Sequence, residues 1–173
     1  MKNFFSYDPK LLIYGFFIVF FASYGQTFFI SLFNTEIRFY YGLTDGEFGF
    51  VYAISTLFSS FVLISFAKLI DNIDLRAYSL IVTMGLLLAC VGMVIMFKNI
   101  FYLILIIFML RFFGQGAMTH AGETTMARYF GQNRGKALSI ATLGGMTGVM
   151  FLPYIALNYF KNIQMSQLWF YAS

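Results

Sequence analysis

Charged residues are scarce in this sequence. Only 10% of its 173 residues are Asp, Glu, Lys or Arg, whereas a soluble domain carries about a quarter. Apolar side chains are correspondingly abundant and make up 60% of the chain. Because they also gather in runs longer than a soluble core needs, the composition excludes an ordinary soluble domain and indicates an integral membrane protein.

Cysteine is almost absent as well. Cys90 is the single one, so no disulfide can form within the chain, and its place inside an apolar run favours inert packing. No set of His, Cys, Asp and Glu has metal-site spacing, and no nucleophile elbow or phosphate loop is present. We therefore expect no metal, no cofactor and no enzymatic activity. The basic residues lie between the apolar runs rather than on one face, so we expect no nucleic-acid partner.

Five long apolar runs are present, each close to the ~20 residues that a helix needs to span a bilayer. They cover residues 11–33, 48–67, 77–97, 100–121 and 137–160, and a sixth begins at about residue 166. The first run is too long for a signal peptide and lacks a small-x-small cleavage site, so we expect it to be retained. The sequence predicts an all-α transmembrane helix bundle in contact with lipid.

The basic residues of the connecting segments indicate the orientation. Seven lie on the side of the N-terminus and three on the other side. The seven are Lys2, Lys10, Lys68, Arg76, Arg128, Arg134 and Lys136, and the three are Arg38, Lys98 and Lys161. Positive residues favour the cytoplasmic side, so we expect a multi-pass protein of the inner or plasma membrane with a cytoplasmic N-terminus.

The spacing of the runs repeats after 89 residues. This shift carries Leu11 to Ile100 and Phe48 to Ala137, the starts of runs one and four and of runs two and five. It also carries the pair Gly25-Gln26 onto Gly114-Gln115. Three spans followed by three of opposite orientation form the inverted repeat of many transporters. The alternative is that evenly spaced helices are simply common.

Arg111 lies at the middle of the fourth run, where an unpaired Arg costs roughly 2.5–3.5 kcal/mol on insertion scales. Gln115 and Thr119 follow at intervals of four residues on the same helix face, and the first two runs carry Gln26, Thr27 and Tyr52 on polar faces of their own. Three polar faces predict a shared, water-filled interior that forms a substrate or coupling pathway. The alternative is that such groups only hydrogen-bond neighbouring helices.

His120 is nine residues from Arg111, or two and a half turns of a straight α-helix, so it is predicted to point the opposite way and to pack near the cytoplasmic end.

In the fifth run, Gly144 and Gly148 are four residues apart and predict close helix packing. Pro153 lacks a backbone donor and predicts a bend in the same helix.

The loop after the second run, residues 67–76, resembles the G-x-L-x-D-R-x-G-R-R signature of the major facilitator superfamily. Leu69, Asp71 and Arg76 match the signature, and its position between spans two and three also matches. Residues 67, 72, 74 and 75 depart from it.

Two further stretches are similar to the same superfamily. Arg111 with residues 114–116 is similar to its fourth-span Arg-x-x-Gln-Gly pattern, with the glycines displaced by one, and residues 128–137 look like its basic loop before span five. The Gly-Pro of proton antiporters is absent, because Val149 follows Gly148.

The resemblance implies the N-terminal portion of a major facilitator transporter, with five of twelve spans and the start of a sixth. It implies a secondary transporter that works by alternating access, with a small solute held between this half and a missing C-terminal half. It also implies a cytoplasmic gate of charged residues, in which Arg76 pairs with an acid at the end of span four. The gate residues are Asp71, Arg76, Glu123 and Arg134.

The fixed charge of Arg111 predicts an organic anion such as a carboxylate as the substrate, or a role in proton coupling. The alternative function is a membrane sensor or assembly subunit that does not transport and uses the same helical scaffold.

Overall fold

The computed structural model of the protein describes residues 8–159. Within that range the chain is helical apart from short turns, and the described residues contain no strand. Five helices are long and apolar enough to cross a membrane, which confirms the five predicted spans. The predicted sixth span, Lys2 and Lys161 lie outside the described residues.

Each span is built from one or two α-helices, and one more helix lies in the first loop. The α-helices are α1 (Pro9–Phe21), α2 (Thr27–Ser31), α3 (Asn34–Tyr41), α4 (Asp45–Phe66), α5 (Leu75–Ile95), α6 (Ile100–Met109), α7 (Thr119–Tyr129) and α8 (Arg134–Tyr159). Three-residue-per-turn segments cover Ala22–Gly25, Ala67–Asp71 and Gly131–Asn133. A π-helical segment, Leu110–Met118, joins α6 to α7. The first span is therefore α1 with α2, and the fourth is α6 with α7.

Helix caps explain why some predicted boundaries were wrong. The second span begins at Asp45 rather than residue 48, because Thr44 and Glu47 form a reciprocal capping box. The Thr44 backbone N–H donates to Glu47 Oε2 over 2.8 Å, and the Glu47 N–H donates to Thr44 Oγ1 over 3.3 Å. The short helix α3, which the apolar pattern did not predict, ends at Gly42 with a left-handed φ of +69°.

The fourth span continues to Tyr129, eight residues past the predicted end. Its extension carries Thr, Glu and Arg, which are compatible with a helix but do not raise the hydropathy. The end of α7, the segment Gly131–Asn133 and the start of α8 together make most of the predicted loop at residues 128–137 helical.

Glycines set the closest contacts between spans. A Cβ on Gly144 would lie 2.0 Å from the Phe16 carbonyl oxygen, and a Cβ on Gly148 would lie 2.1 Å from Ser23 Oγ. The fifth span therefore packs directly on the backbone of the first. α8 continues through Pro153 to Tyr159, so the helix is not ended by the proline.

The packing follows the 89-residue shift. Ser55 and Ser59 of α4 are buried, and adding 89 to their numbers gives the equivalent positions Gly144 and Gly148. Ser55 Oγ donates to the Ile104 carbonyl over 3.1 Å, so the small residues of the second span face the fourth span. The small residues of the fifth span face the first span in the same way. Small residues four apart thus form both contacts between the repeats.

Large apolar side chains cover the outside of the bundle. Phe50, Phe61, Phe101 and Met150 are each more than two-thirds exposed. A soluble protein rarely exposes so many, whereas a bilayer accommodates them at no cost. The chain is a multi-pass membrane protein.

Candidate functional site

The first and fourth spans both lose regular α-helical winding where they cross. In the first span, Gln26 adopts an extended conformation (φ −78°, ψ 152°) between the turn Ala22–Gly25 and α2. In the fourth span, the π-helical segment begins at Leu110. Short π-helical stretches in α-helices are frequent at functional sites. The two irregular segments are related by the 89-residue shift.

Gly25 and Gly114 touch at this crossing. A Cβ on Gly25 would lie 2.1 Å from the Leu110 carbonyl oxygen, and a Cβ on Gly114 would lie 2.6 Å from the Gly25 Cα. Only glycine allows two backbones to approach so closely. The equivalent glycines of the two repeats therefore meet each other.

This close crossing positions Arg111 against the first span. The Arg111 side chain is 7% exposed. Its Nη1 donates to the Gly25 carbonyl over 3.3 Å and to Thr27 Oγ1 over 3.0 Å. The main chain and a hydroxyl of the first span thus solvate a cation of the fourth.

The second span completes this arrangement through Tyr52. The Arg111 Cζ lies 5.3 Å from the centroid of the Tyr52 ring, a cation–π contact worth about 0.5–2 kcal/mol. The Tyr52 hydroxyl donates to Thr27 Oγ1 over 2.9 Å. Three of the five predicted pathway residues, Arg111, Thr27 and Tyr52, therefore lie together.

No carboxylate forms an ion pair with Arg111 within residues 8–159. The ion pairs in that range join Arg38 to Asp45 and Arg128 to Asp71. Arg111 is held only by neutral acceptors and a ring, and its Nε has no hydrogen-bond partner there. A buried cation without an anion favours binding of an anionic group.

A cavity of about 280 Å³ opens beside Arg111 between the second and fourth spans. We call it the Arg111 cavity. Its lining comprises Thr56, Ser59, Ser60, Leu63, Arg111, Gln115, Gly116, Thr119, His120 and Glu123. Among the described residues, four of its polar atoms are buried without a partner: Thr56 Oγ1, Arg111 Nε, Gln115 Oε1 and Thr119 Oγ1. Buried polar atoms are normally satisfied, so these groups are available to a ligand or to water.

The lining on the fourth span forms one stripe with a residue at every fourth position: Arg111, Gln115, Thr119 and Glu123. The sequence pattern predicted the first three members of this stripe, as far as Thr119, and Glu123 was assigned to a gate. The continued spacing of four was the signal that placed Glu123 in the same cavity. Gln26 is partly exposed and is not part of the lining.

His120 also lines the Arg111 cavity, which corrects the prediction that it points away from Arg111. That prediction assumed a straight α-helix. The segment Leu110–Met118 is π-helical, and i→i+5 bonding winds more residues into each turn. Thr124 Oγ1 lies 3.4 Å from His120 Nδ1 and 3.5 Å from its Nε2 on the same helix.

A second polar cluster lies where the loop after the second span meets the end of α7. Arg128 forms an ion pair with Asp71, and its Nη1 also donates to the Ile70 carbonyl over 3.3 Å. The expected ion pair between Arg76 and Glu123 does not form among the described residues. Sequence reasoning placed Arg128 on the correct side but did not select it as a partner of Asp71.

The comparisons with known proteins gave one family. The model of the Major Facilitator Superfamily matches residues 15–167 of the chain. No curated protein and no solved structure matches.

Proposed function

The chain belongs to the major facilitator superfamily, a family of secondary transporters, and we propose that it moves a small organic anion across the membrane by alternating access. Residues 1–173 would form the N-terminal half, and a C-terminal half would close the pathway. The single observation that carries the proposal is the buried guanidinium of Arg111, which has no carboxylate partner among the described residues.

The unused hydrogen-bonding groups support an anionic ligand. Arg111 lines the cavity, and its buried Nε has no hydrogen-bond partner within the described residues. A carboxylate accepts the planar donors of a guanidinium in a bidentate fashion. Gln115 and Thr119 lie further along the stripe and would bind a second polar group of the solute.

The test is a transport survey with the complete protein in proteoliposomes. We expect labelled mono- and dicarboxylates to be taken up, whereas neutral and cationic analogues of the same carbon skeleton are excluded, because Arg111 presents a positive charge that no ion pair neutralises within the described residues. Uptake confined to the neutral or cationic analogues would refute an anionic substrate.

The cluster at Asp71 is proposed as the cytoplasmic gate, with Arg76, Glu123 and Arg134 contributing charge around it. Arg128 is added as the partner of Asp71. An ion pair that bridges the second and fourth spans holds these spans together in one state and must break in the other.

We expect the substitutions Asp71→Asn and Arg128→Gln to open this gate equally. The pair is exposed, so its loss costs under about 1 kcal/mol and shifts the gating equilibrium by up to about fivefold. The measurement is the rate at which an impermeant maleimide labels a cysteine placed at Ser60, in a background where Cys90 is replaced by alanine.

The double variant should label no faster than either single variant, because both remove the same pair. Lys68→Gln is the matched control, since it removes a charge of the same loop that forms no ion pair within the described part of the chain. Labelling that is unchanged in both single variants would show that the pair does not gate access.

A further inference from the structure

Two threonines that line the Arg111 cavity do not use their hydroxyls within their own helices. Ser and Thr in a helix often donate to the carbonyl four residues earlier, and Ser55, Ser60 and Ser79 do so here over 2.7–3.0 Å. By contrast, the Oγ1 atoms of Thr56, on the second span, and Thr119, on the fourth, are buried and have no partner among the described residues. Each of these hydroxyls can still donate and accept a hydrogen bond.

Gln115 adds an amide between Arg111 and Thr119 along the fourth span. It also lines the cavity, and its buried Oε1 has no partner in the part of the chain that the structure describes. An amide donates through its nitrogen and accepts through its oxygen. The lining next to Arg111 therefore consists of neutral groups that hydrogen-bond in both directions and are not satisfied by one another.

The charged groups of the cavity favour a single carboxylate on the solute. Arg111 is the only Lys or Arg among the described lining residues. The carboxylate of Glu123 lies twelve residues further along the fourth span, at an exposed position. A second carboxylate that extended along this stripe would lose water, gain no Lys or Arg, and approach a like charge. The rest of the solute is therefore better matched to the lining if it is polar and neutral.

We infer that the solute is a hydroxylated monocarboxylate, whose carboxylate binds Arg111 and whose hydroxyls pair with Thr56, Gln115 and Thr119. A hydroxyl group donates one hydrogen bond and accepts others, which matches side chains that do both. A keto or ether oxygen only accepts, and a methylene group does neither, so each leaves part of the lining unpaired. The inference rests on the proposed function, because it names the class of anion that the same site takes.

The experiment measures dissociation constants for the complete protein in detergent, with binding to empty micelles subtracted. The ligands are pairs of acids of equal chain length, gluconate with hexanoate and threonate with butyrate, together with adipate and the polyols glucitol and threitol. We expect each hydroxy acid to bind more than about tenfold tighter than its unsubstituted partner, which leaves the hydroxyls and the amide of the site unpaired. Adipate should bind more weakly than gluconate, because its second carboxylate meets no Lys or Arg.

Two variants link this preference to the named side chains. Thr56→Val and Thr119→Val keep the shape of the side chain and remove its hydroxyl. We expect each to weaken gluconate binding about three- to tenfold relative to hexanoate binding, because hexanoate has no hydroxyl to pair. Thr142→Val is the matched control: its hydroxyl donates to the Leu138 carbonyl over 3.0 Å, and it lies outside the cavity lining. It should leave the ratio of the two affinities unchanged.

The outcomes separate this inference from the proposed function. Equal or tighter binding of the unsubstituted acids by the wild type would overturn the inference and leave an anion site in place. Equal losses for gluconate and hexanoate in both threonine variants would also overturn it, because the hydroxyls would then have a structural role only. If the wild type binds none of the acids, the anionic substrate itself is refuted, and the inference falls with it.

Discussion

The substitution Arg111→Leu is expected to abolish uptake of the anionic substrate while the protein remains folded in the membrane. Leucine removes the buried cation and also relieves its insertion cost of roughly 2.5–3.5 kcal/mol. The lost hydrogen bonds to Gly25 and Thr27 leave acceptors of the first span unpaired, at about 1–3 kcal/mol. The two effects offset each other, so stability should change little while the anion loses its counter-charge.

The measurement is initial uptake, normalised to the folded protein that elutes as one peak in detergent. Arg111→Lys keeps the charge but loses the planar fork, and we expect it to weaken substrate binding about 10- to 100-fold. Tyr52→Phe is the milder control, because the ring that faces the guanidinium stays and only the hydroxyl bonded to Thr27 is lost.

Normal uptake by Arg111→Leu would show that Arg111 serves only to join the first and fourth spans. If Arg111→Leu fails to fold, its uptake does not test the role of Arg111, and the uptake by Arg111→Lys is measured instead. Its uptake should then need a higher substrate concentration at an unchanged maximal rate, because the charge remains and the ground-state contacts are weaker.

The substitutions Gly25→Ala and Gly114→Ala are expected to be strongly destabilising. Each added methyl would lie under 3.0 Å from backbone atoms of the other span, and backbone cannot move aside as a flexible side chain can. We expect a loss of more than about 4 kcal/mol, or no folded protein, because the spans must separate at their crossing.

A loss of stability in these variants is informative, because helix propensity alone would make alanine more stabilising than glycine by about 1 kcal/mol. Gly49→Ala is the matched control: Gly49 lies in α4 with open space around it, so its replacement should be neutral or stabilising. The measurement is the midpoint of thermal unfolding in detergent. Equal midpoints for Gly25→Ala and Gly49→Ala would mean that the crossing is looser than described.

The spans could be predicted from the sequence because a bilayer imposes one strong rule. Every backbone group in it must be paired, so a long apolar run must be a helix. The same rule does not predict secondary structure outside the hydrocarbon core of the bilayer. The end of α7 at Tyr129 and the short helix α3 were therefore not predicted. Their ends are set by caps and by residues that hydropathy does not distinguish.

The site could be predicted only in part. Arg111 is identified by the cost of its charge, and Thr27 and Tyr52 by polar faces on neighbouring helices. The position of His120 was predicted wrongly, because the prediction assumed a straight α-helix and the segment Leu110–Met118 is π-helical. The partner of Asp71 was also missed, since several cations lie within reach and only the three-dimensional positions select Arg128.

The crossing at Gly25 and Gly114 has a mechanical consequence. Packed helices usually resist relative rotation because the side-chain ridges of one fit the grooves of the other. At this point bare backbone meets bare backbone and fixes the distance between the axes. Further along the two spans, the Met126 side chain packs on Gly15, and Val19 and Ile18 pack on Gly122. We therefore expect any change of angle between the first and fourth spans to repack those side chains and to leave the crossing as its fixed point, with Arg111 bonded to the Gly25 carbonyl beside it.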